Sequence, residues 1–302
     1  MKSAKQERYA AEALTLHPRQ RLIGSLPVKE RRLKLNGVIT SVLEGGEGPP
    51  MVLLHGAGAY GAQWIRTIPA LTATHRVIAP DLPGHGASDF FNAAPTRERA
   101  TGWLDDLIEC TCTKAPILVG HTLGGAIAAN FAAEAGRRLA GLVLVDTLGL
   151  AAFRPAPAFG AALQEFLHAP TEHTHDGLWG QCVYDFEAVK HSLGEKWQWI
   201  KAANLTYSDP ARMAALGAWM EEFGFPAIPP STLSRIDVPT TLIWGRHDRA
   251  TPLAVAEAVS QRFGWRLEVI DGAADDPTLE QPEAFLGALG RAIEPLKRES
   301  AK

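Results

Sequence analysis

The sequence predicts an α/β protein, a mostly parallel sheet with helices on both faces that carries an inserted helical segment. Three observations predict it. Apolar runs alternate with helical stretches over most of the chain, the pattern of crossover connections between parallel strands. One such run, Ile117-Leu118-Val119, ends in the glycine-flanked turn Gly120-His121-Thr122-Leu123-Gly124-Gly125 and passes directly into an alanine-rich helix. Between about Gly149 and Arg235 the rhythm breaks into helical pieces separated by prolines. The chain therefore divides into a first core part, residues 1–150, a helical lid, 151–234, and a second core part, 235–302.

The elements follow in order. Ala4 to Leu16 reads as a short amphipathic helix or arm. Arg32 to Leu43 alternates around Asn36-Gly37, a two-residue hairpin signal. Met51-Val52-Leu53-Leu54 is a buried strand running into His55-Gly56-Ala57-Gly58. A helical stretch from Gln63 to Leu71 follows, then a strand from Arg76 to Asp81 that enters Leu82-Pro83-Gly84-His85-Gly86. Arg97 to Glu109 is a helix. The strand ending at the glycine turn comes next, then a helix from Leu123 to Glu134 and a strand from Leu142 to Asp146. In the strand-free stretch lie Trp179, Trp197, Trp199 and Trp219, half of the tryptophans, expected to face a lipophilic pocket. The sheet resumes from Thr240 to Asp248. Thr251-Pro252 opens a helix with proline at its first position, Arg266 to Asp271 is the last strand, and a final helix runs from Gln281-Pro282 to about Ile293. The charged tail from Lys297 is expected to fray.

Composition narrows the function. The chain has 302 residues with 46% apolar, 30 basic and 33 acidic side chains. That balance, without a basic run, argues against a nucleic-acid surface. No apolar stretch approaches a membrane span, and the charged start, Met1 to Arg8, is unlike a secretory signal. Three cysteines make no disulfide framework and fit a cytoplasmic location. No dinucleotide or phosphate loop is present, so no cofactor is expected. Cys110-Thr111-Cys112 and Glu172-His173-Thr174-His175-Asp176 are read as ordinary surface or packing residues rather than metal sites.

Taken together, the motifs resemble the α/β-hydrolase superfamily, in particular lid-bearing members such as meta-cleavage-product hydrolases and small-molecule esterases. Five segments carry the resemblance: His55-Gly56-Ala57-Gly58, Asp81 to Gly86, Gly120 to Gly125, Trp244-Gly245-Arg246-His247-Asp248, and Gly272 through Pro282. It implies an eight-stranded, mostly parallel sheet, a nucleophile elbow at Gly120-x-Thr122-x-Gly124, and an oxyanion hole from the Ala57 and Leu123 N–H groups. It also implies a carboxylate at Asp248, with Asp146 a second place where relatives carry it, read here as a loop or capping residue.

Two positions depart from the family pattern. Thr122 stands where serine is usual, and Asp275 where histidine is usual; no histidine follows His247. The elbow demands positive φ, which a β-branched residue adopts at a cost of about 1–3 kcal/mol. Aspartate, with an ordinary pKa of about 3.9 against about 6.5 for histidine, pulls weakly on an alcohol proton. Two neighbouring carboxyls, Asp248 and Asp275, would share a proton near neutrality unless Arg246, Arg249 or a water separates them. The other histidines offer little relief. Strand alternation turns His121 away from the crevice, into a hydrogen-bonding role. His55 belongs to the loop after the first buried strand, His247 packs outside the pocket, and a lid histidine acting as base is a minor alternative.

The expected activity is thus unconventional hydrolase or lyase chemistry on a small lipophilic carbonyl compound, with Thr122, Asp248 and Asp275 at the centre. Two alternatives stand beside it: a non-catalytic ligand-binding protein on the same scaffold, and an esterase with a relocated base. A homodimer is left open.

Overall fold

The structure, a computed structural model, describes residues 17–299. The expected segment from Ala4 to Leu16 lies outside the described residues, as do the last three residues of the tail.

Helix α1 (Pro18–Gly24) precedes a hairpin of β1 (Lys29–Leu35) and β2 (Val38–Gly45). Asn36 and Gly37 both have positive φ, 44° and 84°, as a tight hairpin turn requires. Then come β3 (Pro50–Leu54), a 3₁₀ turn at Gly61–Arg66, α2 (Ile68–Leu71), β4 (Arg76–Pro80), α3 (Arg97–Thr111), β5 (Ile117–His121), α4 (Leu123–Ala135) and β6 (Gly141–Val145). Between β6 and β7 the described chain forms helices and no strand: α5 (Pro157–His168), α6 (Glu172–Cys182), α7 (Phe186–Leu193), α8 (Glu195–Thr206), α9 (Pro210–Trp219), a π turn at Met220–Gly224, and α10 (Pro230–Leu233). The chain closes with β7 (Thr240–Gly245), α11 (Leu253–Phe263), β8 (Arg266–Ile270), α12 (Pro277–Glu280) and α13 (Pro282–Glu299).

The eight strands form one sheet in the order β1-β2-β4-β3-β5-β6-β7-β8. β1 and β2 are antiparallel, β2 meets β4 antiparallel, and every later pair is parallel. β3, β5 and β6 are buried almost throughout because helices cover both faces. Each face carries its own apolar core, one around Trp103, Phe131 and Trp219, the other around Trp64, Trp197 and Phe285. No helix among the described residues is long and apolar enough to cross a membrane.

Two expectations need correction here. The final helix runs past Ile293 to Glu299, through Pro295. A proline inside a helix frees the carbonyl four residues back, and that carbonyl, Arg291 O, accepts from Arg266 Nη1 at 3.3 Å. Helix α11 starts one residue later than expected, with Pro252 as its N-cap rather than its first turn.

Candidate functional site

The loops at the carboxyl ends of β3, β5, β6, β7 and β8 meet the inserted helices around a cavity of about 400 Å³. Thr122 lies on its floor. Its backbone has φ 42° and ψ −107°, and it ends β5 and caps α4. The turn closes this sharply because glycines stand around it. A Cβ at Gly120 would lie 2.4 Å from Gly124 O, and one at Gly124 would lie 2.5 Å from the carbonyl oxygens of Leu54 and His55.

Thr122 Oγ1 accepts from Ala57 N at 3.2 Å, its one hydrogen bond among the described residues. The loop carrying Ala57 is held by His55. Burial drives that imidazole down to a pKa of about 3, so it is neutral. Its Nδ1–H donates to Gly56 O at 2.8 Å and its Nε2 accepts from Leu82 N at 2.9 Å. Leu123 opens α4 directly after Thr122.

Asp275 lines the same cavity. Its N–H donates to Cys182 O at 3.0 Å, which ties it to the inserted segment. Its carbonyl oxygen accepts from His121 Nε2 at 2.6 Å. Asp248 lies behind it: Oδ1 accepts from Ala250 N at 2.7 Å and Thr251 N at 2.9 Å, while Oδ2 is buried without a partner among the described residues. Asp146 is built alike, with Oδ1 accepting from Gly245 N at 2.8 Å and Oδ2 unpartnered.

Burial, and for Asp275 and Asp146 also the neighbouring carboxyls, raises the proton affinity of this group of acids. Asp275 is pushed well above the usual carboxylate range, chiefly by burial and then by Asp248. Burial raises Asp248 to about 7 against the pull of its two N–H donors. Asp146 is raised by burial and by Asp248, Asp276 by burial, and Glu280 to about 7 by burial. The nearby arginines do not neutralise them. Arg246 pairs with Asp271 on the surface, and Arg249 Nη1 is spent on the carbonyls of Gly180, Gln181 and Val183.

His121 corrects the expectation that it faces away. It ends β5, so its ring projects past the sheet edge, above Gly56, and lines the cavity. A carbonyl oxygen can only accept, so the Nε2 bonded to Asp275 O carries the proton. In the tautomer with that one ring proton, Nδ1 is the acceptor. Both Nδ1 and Thr122 Oγ1 crowd Gly56, 3.0 and 2.4 Å from where a Cβ there would sit. The glycine at position 56 was the available signal in the sequence. Of the four tryptophans expected at the pocket, Trp179 lines it; Trp197 is buried against Trp179, Trp199 packs partly buried against the same core, and Trp219 Nε1 donates to Pro83 O at 2.9 Å. His247 lies outside, stacked on Tyr184.

Residues 51–288 match the alpha/beta hydrolase family. The chain belongs to that family. This α/β hydrolase is 32% identical to a 2-hydroxy-6-oxo-6-phenylhexa-2,4-dienoate hydrolase of Comamonas testosteroni, over 70% of this chain and 75% of that protein. It is 31% identical to a pimeloyl-[acyl-carrier protein] methyl ester esterase of Aromatoleum aromaticum, over 78% of this chain and 94% of that one. The solved 2-hydroxy-6-oxo-6-phenylhexa-2,4-dienoate hydrolase of Rhodococcus sp. strain RHA1 superposes with a TM-score of 0.75 at 25% identity, covering 88% of this α/β hydrolase and 98% of its own chain.

Proposed function

We propose that this α/β hydrolase is an enzyme acting on a small lipophilic carbonyl compound, with residues 151–234 as a lid over the core of 1–150 and 235–302. The observation that carries the reading is the meeting of Thr122 Oγ1, the Ala57 N–H and Asp275, whose hold on a proton burial strengthens, in one cavity. The substrate carbonyl takes hydrogen bonds from the Ala57 and Leu123 amides as charge develops on its oxygen. Asp275, kept neutral by its surroundings, donates a proton where an imidazole-based triad would withdraw one. Such a site suits an activated carbonyl, and the relatives named above, a dienoate hydrolase and a methyl ester esterase, fit that class. Aromatic and aliphatic side chains such as Phe153, Phe159, Leu163 and Phe166 enclose the rest of the cavity.

A second reading, the esterase with a relocated base, is favoured by the bare Nδ1 of His121 beside Gly56. There a water, or the Thr122 hydroxyl through a water, would give its proton to Nδ1 and attack the carbonyl. A non-catalytic binding protein is the third.

Hydrolysis of short p-nitrophenyl esters separates them. The first reading expects turnover that falls in both Thr122→Ala and Asp275→Asn. The second expects loss in His121→Gln with Asp275→Asn still active. Absence of turnover in the wild type, with retained binding of a lipophilic ketone, points to the binder. Asp275→His tests the scaffold separately: new esterase activity of on the order of 10²-fold over the parent is expected from restoring a general base.

A further inference from the structure

Acids crowd one side of the cavity, and the one that lines it with a reachable carboxyl has no partner. Asp275 is 9% exposed and forms part of the cavity wall. Its main chain is occupied on both sides, since the N–H donates to Cys182 O and the carbonyl oxygen accepts from His121 Nε2. Its carboxyl is not. Neither oxygen has a hydrogen bond or an ion pair among the described residues, and neither is closed off from open space as Asp146 Oδ2 and Asp248 Oδ2 are. The open space this carboxyl meets is the cavity whose wall Asp275 forms. The groups packed around it are mostly acidic. Asp248 follows β7, Asp146 follows β6, and Asp276 and Glu280 belong to its own loop and to α12. Arg249 is the cation that opposes them, and its Nη1 is held by three carbonyls of the inserted segment. From β5 and α6 the titratable neighbours are His121 and Cys182. Arg212, the cation in the cavity wall, pairs with Asp209 at 2.7 Å.

We propose that the Asp275 carboxyl is the seat of a cationic nitrogen, and that the cavity takes a lipophilic amine as a ligand. A carboxylate buried without a partner is costly, and an opposite charge beside it removes that cost. The acids that raise one another's hold on protons here attract a single positive group together. The rest of the ligand is apolar because the walls are: Leu148, Phe153, Phe166, Trp179 and Met220 all line the cavity. Binding exchanges one positive charge for another. The ammonium enters, the proton held by Asp275 leaves to water, and the O–H bond is the one bond broken. A ligand seated there takes the place of the proton that Asp275 donates in the reaction proposed above, so it inhibits that reaction. The binding itself needs neither Thr122 nor turnover, and in that respect it goes beyond the catalytic reading.

The test compares phenyltrimethylammonium with tert-butylbenzene, which has the same shape and lacks the charge. The ammonium nitrogen does not titrate, so any pH dependence belongs to the protein. Titration calorimetry from about pH 6 to about pH 8, in a pair of buffers of different ionisation enthalpy, reads the affinity and the protons released. The ammonium is expected to bind about tenfold or more tightly than the hydrocarbon at the alkaline end. Its advantage grows with pH. The cation prefers the ionised carboxyl, so while the free protein holds the proton the affinity rises by up to about tenfold per pH unit, with up to about one proton released per ligand. Asp275→Asn keeps the shape without the charge, and is expected to lose both the preference and the proton release while still binding tert-butylbenzene. A wild type that binds the ammonium but turns over no ester supports the site and counts against the catalytic reading alone. A hydrocarbon that binds as well as the ammonium at every pH overturns the proposal, as does a preference for the ammonium that persists unchanged in Asp275→Asn. Should that variant fold poorly, Asp275→Ser, which also lacks the charge, serves in its place.

Discussion

Asp275 is the residue whose replacement is most informative, because its surroundings disfavour the charge that aspartate normally carries. It is buried, faces Asp248, Asp276 and Glu280, and has Arg249 as its one opposing influence in the site. A carboxyl whose pKa is raised on folding binds a proton more tightly in the native state than in the unfolded chain. Its contribution is complete below the unfolded value and is lost as pH rises through the folded one. With Asp248 and Glu280 both brought to about 7, the wild type is expected to lose stability as pH climbs through that value. Asp275→Asn keeps the shape and removes one ionisation. Its melting temperature is expected to match the wild type in acid and to exceed it above neutrality, by thermal scans across pH. Equal melting temperatures at alkaline pH would mean that Asp275 sheds its proton without cost. Thr122 is the second unusual residue, a β-branched side chain at φ 42°, and its strain persists because the strand and helix on either side are both fully packed.

The element that sets this geometry is the strand–turn–helix unit of β5 and α4, and its fit can be measured. Gly124→Ala should raise helix propensity by up to about 1 kcal/mol. Its Cβ would, however, lie 2.5 Å from two backbone carbonyl oxygens, Leu54 O and His55 O, neither of which can swing aside. Overpacking of this kind costs about 1–3 kcal/mol, so a net loss is expected from urea denaturation. Gly177→Ala in α6 is the control. It meets nothing within 4 Å and should gain roughly 0.5–1 kcal/mol. This unit was legible in the sequence because glycine spacing and apolar runs are local signals. So was the Asn36-Gly37 hairpin. What could not be read depended on distant partners. Strand alternation placed His121 facing away, yet a terminal strand residue overhangs the sheet edge, and the space it takes is left by Gly56, far away in sequence. The final helix was expected to end near Ile293, yet it runs on through Pro295, where the carbonyl that the proline frees, Arg291 O, accepts from Arg266 on another element. Thr122 and Asp275 were singled out by resemblance to a family pattern, whereas the raised proton affinity around Asp275 depends on the burial of several acids at once.

Across the whole molecule, one buried ion pair fastens the start of the described chain to the sheet. Arg19 on α1 is 1% exposed, and its Nη2 lies 2.7 Å from Asp81 Oδ2, itself 0% exposed. Nη2 also donates to Ser41 Oγ at 2.9 Å, and Nη1 pairs with Glu30 at 2.5 Å. Asp81 in turn accepts from Gly61 N at 2.7 Å and Ala87 N at 2.8 Å, on the two loops that flank the cavity floor. Helix α1 packs on α8, so the same residue joins the sheet to the inserted helices. Breaking a buried pair from one side leaves the other charge stranded and costs about 3–5 kcal/mol. Arg19→Ala is expected to destabilise by that amount in urea at neutral pH. Burial already raises the Asp81 pKa, and Arg19 is the strongest influence holding it down. Without Arg19 the carboxyl takes a proton at higher pH, so the penalty is full in alkaline solution and shrinks as pH falls and Asp81 is neutralised. The variant Arg19→Ala with Asp81→Asn should recover part of the loss and lose that pH dependence, though its new amide cannot accept from both Gly61 and Ala87 at once. A penalty in Arg19→Ala that stays constant with pH would place the loss in the packing of α1 against α8 rather than in the stranded charge.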